Sequence, residues 1–180
     1  PMQAIKKHHK TAKITLLTRL SFADLGYKTK IFDDILLDPE PKFWKLKSLY
    51  DFRKKINSFQ FDRVYDLQTS DRTGFYYKLL GPFKRPEWSG IAPGCSHYHH
   101  YKRPTLKHTQ DRHREQLALA GINEVLHPDL SFMEGETKSF GLPSNYALIV
   151  PGSSAKIKVK RWPSQNFSYI ARFLIKRGIK

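Results

Sequence analysis

Tyr146-Ala147-Leu148-Ile149-Val150-Pro151-Gly152-Ser153-Ser154, followed after a lysine-rich insert by Lys160-Arg161-Trp162-Pro163, is the stretch that decides the fold. An apolar, β-branched run of strand length leads into a loop of small residues, and a helix opens at Pro163. A small-residue loop leaving a parallel strand lets backbone N–H groups approach a phosphate, and the helix N-terminus adds its dipole. Lys160 would supply a point charge and Arg161 a forked donor. The same residues also describe a basic surface connection between a strand and a helix. Short Gly/Ser loops are common in this fold class, so the residues alone leave both readings open.

Outward from this stretch the chain alternates strand and helix. Downstream, residues 163–177 read as a helix with Phe167, Ile170, Ala171 and Leu174 on one face and Gly178 as its stop. Upstream, proline and glycine cluster between His127 and Pro143, which marks an interdomain linker. Before that, strands are expected at 12–18, 35–37, 61–67 and 86–91. Helices are expected at 2–9, 71–80 closed by Gly81, and 108–120 closed by Gly121. A short helix at 21–26 would take Ser21 as cap and Gly26 as stop. A longer one at 41–59 would bury Phe43, Leu46, Leu49, Tyr50 and Ile56 and turn its lysines to solvent. Residues 92–104 read as a polar loop. The alternation predicts an α/β fold with a mostly parallel sheet.

Charge is the loudest compositional signal. The 180 residues carry 32 Lys+Arg against 16 Asp+Glu, a net +16, and from Pro151 to Lys180 there is no acidic residue at all. Such a field attracts nucleic acid, an anionic membrane surface, or phosphorylated sugars and lipids. Apolar residues at 39% allow a packed core. No apolar run approaches the ~20 residues that span a bilayer, and no signal-peptide core is read. The single cysteine, Cys95, cannot form an internal disulfide, which suits a reducing compartment, so a cytoplasmic location is expected. Pro1 is not an initiator methionine, and both ends are read as cuts.

Three further groups could carry chemistry. Gln68, Ser70 and Arg72 follow a predicted strand, where ligands of parallel sheets bind, and could touch an acceptor hydroxyl or phosphate. The plainer reading has Ser70 capping the next helix with Asp71 favouring its N-terminus. Cys95, His97, His99 and His100 invite a zinc reading, but Cys-x-His-x-His-His lacks the paired spacing of structural zinc sites, so a solvated loop is expected and no metal. His108 and Arg112 open a helix and could face the same cleft. The basic stretch 42–55 reads as a solvated lysine face with aromatics in the core, with contact to anionic membrane lipid as the functional alternative.

The blocks at 12–18, 61–72 (Phe61-Asp62-Arg63-Val64-Tyr65-Asp66-Leu67-Gln68-Thr69-Ser70, then Arg72), 88–97, 108–112 and 148–163 resemble, in order, segments of glycosyltransferase family 9, which includes the heptosyltransferases of lipopolysaccharide core synthesis. The resemblance implies Rossmann-like parallel sheets of a GT-B type two-domain glycosyltransferase. Residues 1–142 would be an acceptor-side domain lacking its first strand, and 143–180 the start of the nucleotide-sugar-binding domain. It implies an inverting transfer of heptose or a similar sugar from an ADP-sugar, with no cofactor, to a lipopolysaccharide core or related anionic glycolipid. Ser153, Ser154, Lys160 and Arg161 would hold the donor phosphates, with Lys156 and Lys158 as competing registers. Gln68, Ser70, Arg72, His108 and Arg112 are the acceptor-side candidates. The family's general base would lie before Pro1, so the 180 residues alone are expected to be inactive, and peripheral contact with the inner membrane is expected of the enzyme. The rivals are a basic nucleic-acid-binding α/β domain and an inactive truncated product.

Overall fold

The computed structural model describes residues 1–82, 85–100, 107–153 and 161–180. The chain divides into two compact units, Pro1–Met133 and Glu134–Lys180. The division falls inside the Pro/Gly-rich stretch 127–143.

In the first unit the order is α1 (Met2–His8), β1 (Thr15–Thr18), a 3-10 turn and α2 (Ala23–Lys28), then β2 (Asp34–Leu37) and α3 (Leu46–Ser58). These are followed by β3 (Arg63–Tyr65), α4 (Asp71–Leu79), β4 (Glu87–Gly90), β5 (His97–Tyr98) and α5 (Thr109–Leu119). Every strand pairing is parallel, as the alternation of strand and helix requires. The strands form two ladders, β1–β2 and β3–β4–β5. Arg63 and Glu87 sit directly opposite in the second ladder and form a cross-strand ion pair.

Helices cover the sheets with two apolar clusters. One joins Leu36 of β2, Phe52 and Ile56 of α3, Tyr76, Tyr77 and Leu80 of the α4 region, and Trp88 of β4. The other joins Ile5 of α1 to Leu117 of α5 and Ile122. Each cluster takes side chains from elements distant in sequence, and their burial is what holds the short strands in place.

Three local expectations change. Ser21 lies within the 3-10 turn and makes no cap, and α2 runs past Gly26 to Lys28. An added Cβ at Gly26 would lie 2.8 Å from Ile35 Cδ1 and 2.9 Å from Leu16 Cδ2, so helix and sheet come close at that point. Glycine serves as a helix stop at Gly81 and Gly121, with φ of +82° and +85°. The helix expected from 41 begins only at Leu46, and its buried face is Leu49, Phe52 and Ile56. Phe43, Trp44, Leu46 and Tyr50, expected in the core, are exposed at 57, 73, 76 and 65%. Finally, the expected loop at 92–104 contains β5, which adds an edge to the second ladder, and His99 within it is buried rather than solvated.

The first unit ends in a 3-10 turn at Ser131–Met133, and the second contains a 3-10 turn at Lys138–Phe140 and then α6 (Ser164–Ile175). Residues 146–150 form no strand. Ala147 N–H donates to the Lys180 carbonyl and Lys180 N–H donates to Asn145, which is one rung of a parallel ladder, too little to define one. Gly178, at φ +75°, follows α6 as expected.

Candidate functional site

In the first unit, the carboxyl ends of the parallel strands collect most of the polar chemistry, as is general for open parallel sheets. Beyond β1 lies Arg19, beyond β2 lie Asp38 and Glu40, and α4 opens with Arg72. Glu40, held at φ +47°, receives Arg72 Nη1 at 2.6 Å and Arg19 Nη2 at 2.5 Å. Its own N–H donates to Asp38 Oδ1 at 2.8 Å. Asp38 in turn accepts from the Tyr76 hydroxyl at 2.9 Å, and burial together with that carboxylate pushes the Tyr76 phenol far above its usual range. Two guanidiniums share the Glu40 carboxylate, with both arginines still reaching solvent. Arg forks at such a place fit carboxylate or phosphate. Arg72 was foreseen in the sequence. Arg19 was missed, its one signal being a cation directly after a predicted strand.

Beyond β3 the chain turns through Asp66 to Ser70. Ser70 caps α4: its Oγ accepts from Thr73 N–H at 3.3 Å, while Thr73 Oγ1 accepts from Ser70 N–H at 3.0 Å. The plainer reading of Ser70 therefore describes its contacts. Gln68 is exposed beside it. Asp66 is 5% exposed; its Oδ1 accepts from Thr69 N–H at 2.9 Å, and its Oδ2 is buried without a hydrogen bond. Burial raises its carboxyl above the usual range. From α5, Gln116 Nε2 donates to the carbonyls of Asp66 and Ser89, both at 3.0 Å, and His113 Nε2 donates to Leu67 at 2.9 Å. Thus α5 pins the ends of β3 and β4 together. Neither residue was singled out in the sequence, where they look like surface positions on a polar helix.

His108 is the N-cap of α5, its Nδ1 accepting from Gln110 N–H at 3.3 Å, so its ring is engaged with its own helix. Arg112, half-buried one turn on, donates to Thr109 Oγ1 at 3.1 Å. In the histidine stretch, His97 Nδ1 donates to the Leu119 carbonyl at 3.1 Å, and His99 lies 3.4 Å from Glu115. Cys95 is buried and burial pushes its thiol up. Among the described residues, no three His, Cys, Asp or Glu gather as a metal site would need.

The donor-side candidates lie in the second unit. Ser153 and Arg161 are exposed, and α6 begins just after Pro163. Ser154 and Lys160 lie outside the described residues, as do Lys156 and Lys158. Structure thus brings Gln68, Ser70 and Arg72 together at one helix start and His108 and Arg112 together at another.

Residues 49–180 match Glycosyltransferase family 9 (heptosyltransferase), and the chain belongs to this family. The fold is similar to the crystal structure of the glycosyl transferase family 9 from Veillonella parvula DSM 2008, with a TM-score of 0.65 at 19% identity. That match covers 99% of this chain and 55% of the relative, so the chain spans about half the relative's length. No curated protein matches the chain. Among the described residues, no helix is long and apolar enough to cross a membrane.

Proposed function

From membership of glycosyltransferase family 9 as premise, we propose that the polypeptide carrying this segment transfers heptose or a similar sugar from an ADP-sugar to a lipopolysaccharide core or related anionic glycan. The observation that carries the reading is the family match, which runs from Leu49 in α3 to Lys180. An acceptor hydroxyl attacks the anomeric carbon in line, the bond to the diphosphate breaks, and the configuration inverts. Charge grows on the departing diphosphate, and Ser153, Ser154, Lys160 and Arg161 are the groups suited to hold it. No cofactor is needed for that displacement. On the acceptor side, Arg72 with Arg19 offers forks to an anionic acceptor group, both paired with Glu40. The base that takes the hydroxyl proton is not assigned to any described residue. A positioned base typically contributes ~10²–10⁴-fold, so the 180 residues alone should turn over donor slower than the full-length polypeptide by at least that order. The reaction would take place on the cytoplasmic side of the inner membrane, where nucleotide sugars are available.

The test is ADP release by the full-length polypeptide given ADP-heptose, with and without deacylated lipopolysaccharide core acceptor, and the anomeric configuration of the product read by NMR. Acceptor-dependent ADP release with an inverted product is expected. Absence of release with every anionic glycan acceptor, alongside tight salt-sensitive RNA binding, would favour the nucleic-acid reading instead.

A further inference from the structure

The misplaced aromatics of the basic stretch are the feature that the transferase reading does not absorb. Between β2 and α3 the chain turns outward at Phe43 and Trp44, and the turn is fastened by an edge-on contact between Phe43 and Phe75, centroids 4.6 Å apart. Trp44 then stands in solvent, as do Leu46 and Tyr50 in the first turns of α3. Because α3 buries Leu49, Phe52 and Ile56, its other side carries Lys47, Tyr50 and Lys54, with exposed Leu46 on the flank. Among the described residues, none of Lys45, Lys47, Lys54 and Lys55 has a carboxylate partner within ion-pair distance, and Asp51 is the one acid between 41 and 55. Beside this surface opens a groove of about 660 Å³ lined by Leu37, Pro39, Leu46 and Phe52 together with Lys45 and Lys55.

Exposed large apolar side chains interleaved with unpaired ammoniums match the layered chemistry of a bilayer surface, phosphate outside and hydrocarbon beneath. They match nucleic acid less well. Base stacking needs open aromatic faces, but the Lys42 ammonium sits 5.4 Å over the Trp44 ring, Phe43 is engaged with Phe75 and Leu46 has no ring, which leaves Tyr50 alone to stack. We propose that residues 42–54 dock the protein on an anionic phospholipid bilayer, with Trp44, Leu46 and Tyr50 in the boundary between headgroups and acyl chains and Lys45, Lys47 and Lys54 at the lipid phosphates. Docking there requires no particular acceptor, so it stands or falls apart from the transferase reading.

Vesicle co-sedimentation of the chain tests it, with phosphatidylcholine vesicles against vesicles that also contain phosphatidylglycerol. Binding should need the anionic lipid and weaken with salt. Each lysine at such a surface strengthens binding roughly fivefold, so Lys47→Glu with Lys54→Glu should cost more than about twentyfold. The charge-matched pair Lys10→Glu with Lys28→Glu, on exposed residues outside this surface, should cost far less. Trp44→Ala should weaken binding several-fold, and in a Trp162→Phe background brominated lipid should quench the emission of Trp44, since the remaining Trp88 is buried. Equal losses from the two lysine pairs would reduce the effect to net charge and overturn the proposal. So would unquenched Trp44 on bound protein, absence of binding to the anionic vesicles, or displacement of the vesicles by single-stranded RNA at equimolar phosphate.

Discussion

The units Pro1–Met133 and Glu134–Lys180 are written in the same pattern of amphipathic helices and short apolar runs, yet among the described residues only the first buries a core. In the first, α3 turns Leu49, Phe52 and Ile56 inward, and Phe52 is 2% exposed against side chains from β2, α4 and β4. In the second, α6 carries Phe167, Ile170, Ala171 and Leu174 on one face, and none of them is buried. The difference teaches that an amphipathic stripe states where a core could form, while the partner elements decide whether it does.

The contrast can be broken most strongly at the core. Phe52→Ala should destabilise the first unit by about 3–5 kcal/mol, since it removes a fully buried ring from a cluster fed by four elements. Leu174→Ala in α6 should cost no more than about 1 kcal/mol, because its side chain is half exposed and alanine favours the helix. Urea denaturation of both variants reads the comparison directly. A large loss from Leu174→Ala would mean that α6 packs against a buried surface after all.

A smaller effect sharpens the same contrast through a group that only an interior can shift. Asp66 is a carboxylic acid whose folded pKa is raised by burial. Ionising it therefore costs the folded state more than the unfolded one, and its contribution improves as pH falls from neutral through the raised value toward the ordinary carboxylate range. Asp66→Asn keeps an acceptor for Thr69 N–H and carries no charge. The melting temperature of Asp66→Asn minus that of wild type should be greatest at neutral pH and shrink on acidification. A difference that stays flat across this range would show that Asp66 is not ionised at a cost. Asp33, Glu87 and Glu115 are shifted down by their partners and lose stability in acid, but they do so equally in both proteins.

How legible this was in the sequence depended on what each residue answers to. The strands at β1 to β4, the stops at Gly81 and Gly121, and the Ser70 cap are set by local chemistry, and the sequence shows them. The start of α3 was not legible, because aromatic spacing was taken as a sign of burial when Phe43 and Trp44 lie in a turn that faces outward. β5 is two residues long and exists only because β4 offers it an edge, which no local pattern announces. On the site, Arg72 was visible from its place after a strand, whereas Arg19, His113 and Gln116 matter through partners 21 to 50 positions away. Ranges that answer to distant neighbours are the ones a single sequence leaves blank.

The assignment of acceptor to the first unit and donor to the second is tested most directly by a split of Michaelis constants in the full-length polypeptide. Steady-state kinetics with each substrate varied in turn would compare Arg72→Ala, which leaves Glu40 still paired with Arg19, against Lys160→Ala, with Lys156→Ala and Lys158→Ala fixing the register. Losing a charge-assisted contact costs about 1.5–3 kcal/mol, or roughly ten- to hundredfold. Arg72→Ala should raise the acceptor constant by that order and leave the donor constant unchanged. Lys160→Ala should raise the donor constant or lower turnover and leave the acceptor constant unchanged, with the other two lysine variants mild. If Arg72→Ala and Lys160→Ala shift the same constant, or if both behave as wild type, the division of labour between the two units is wrong.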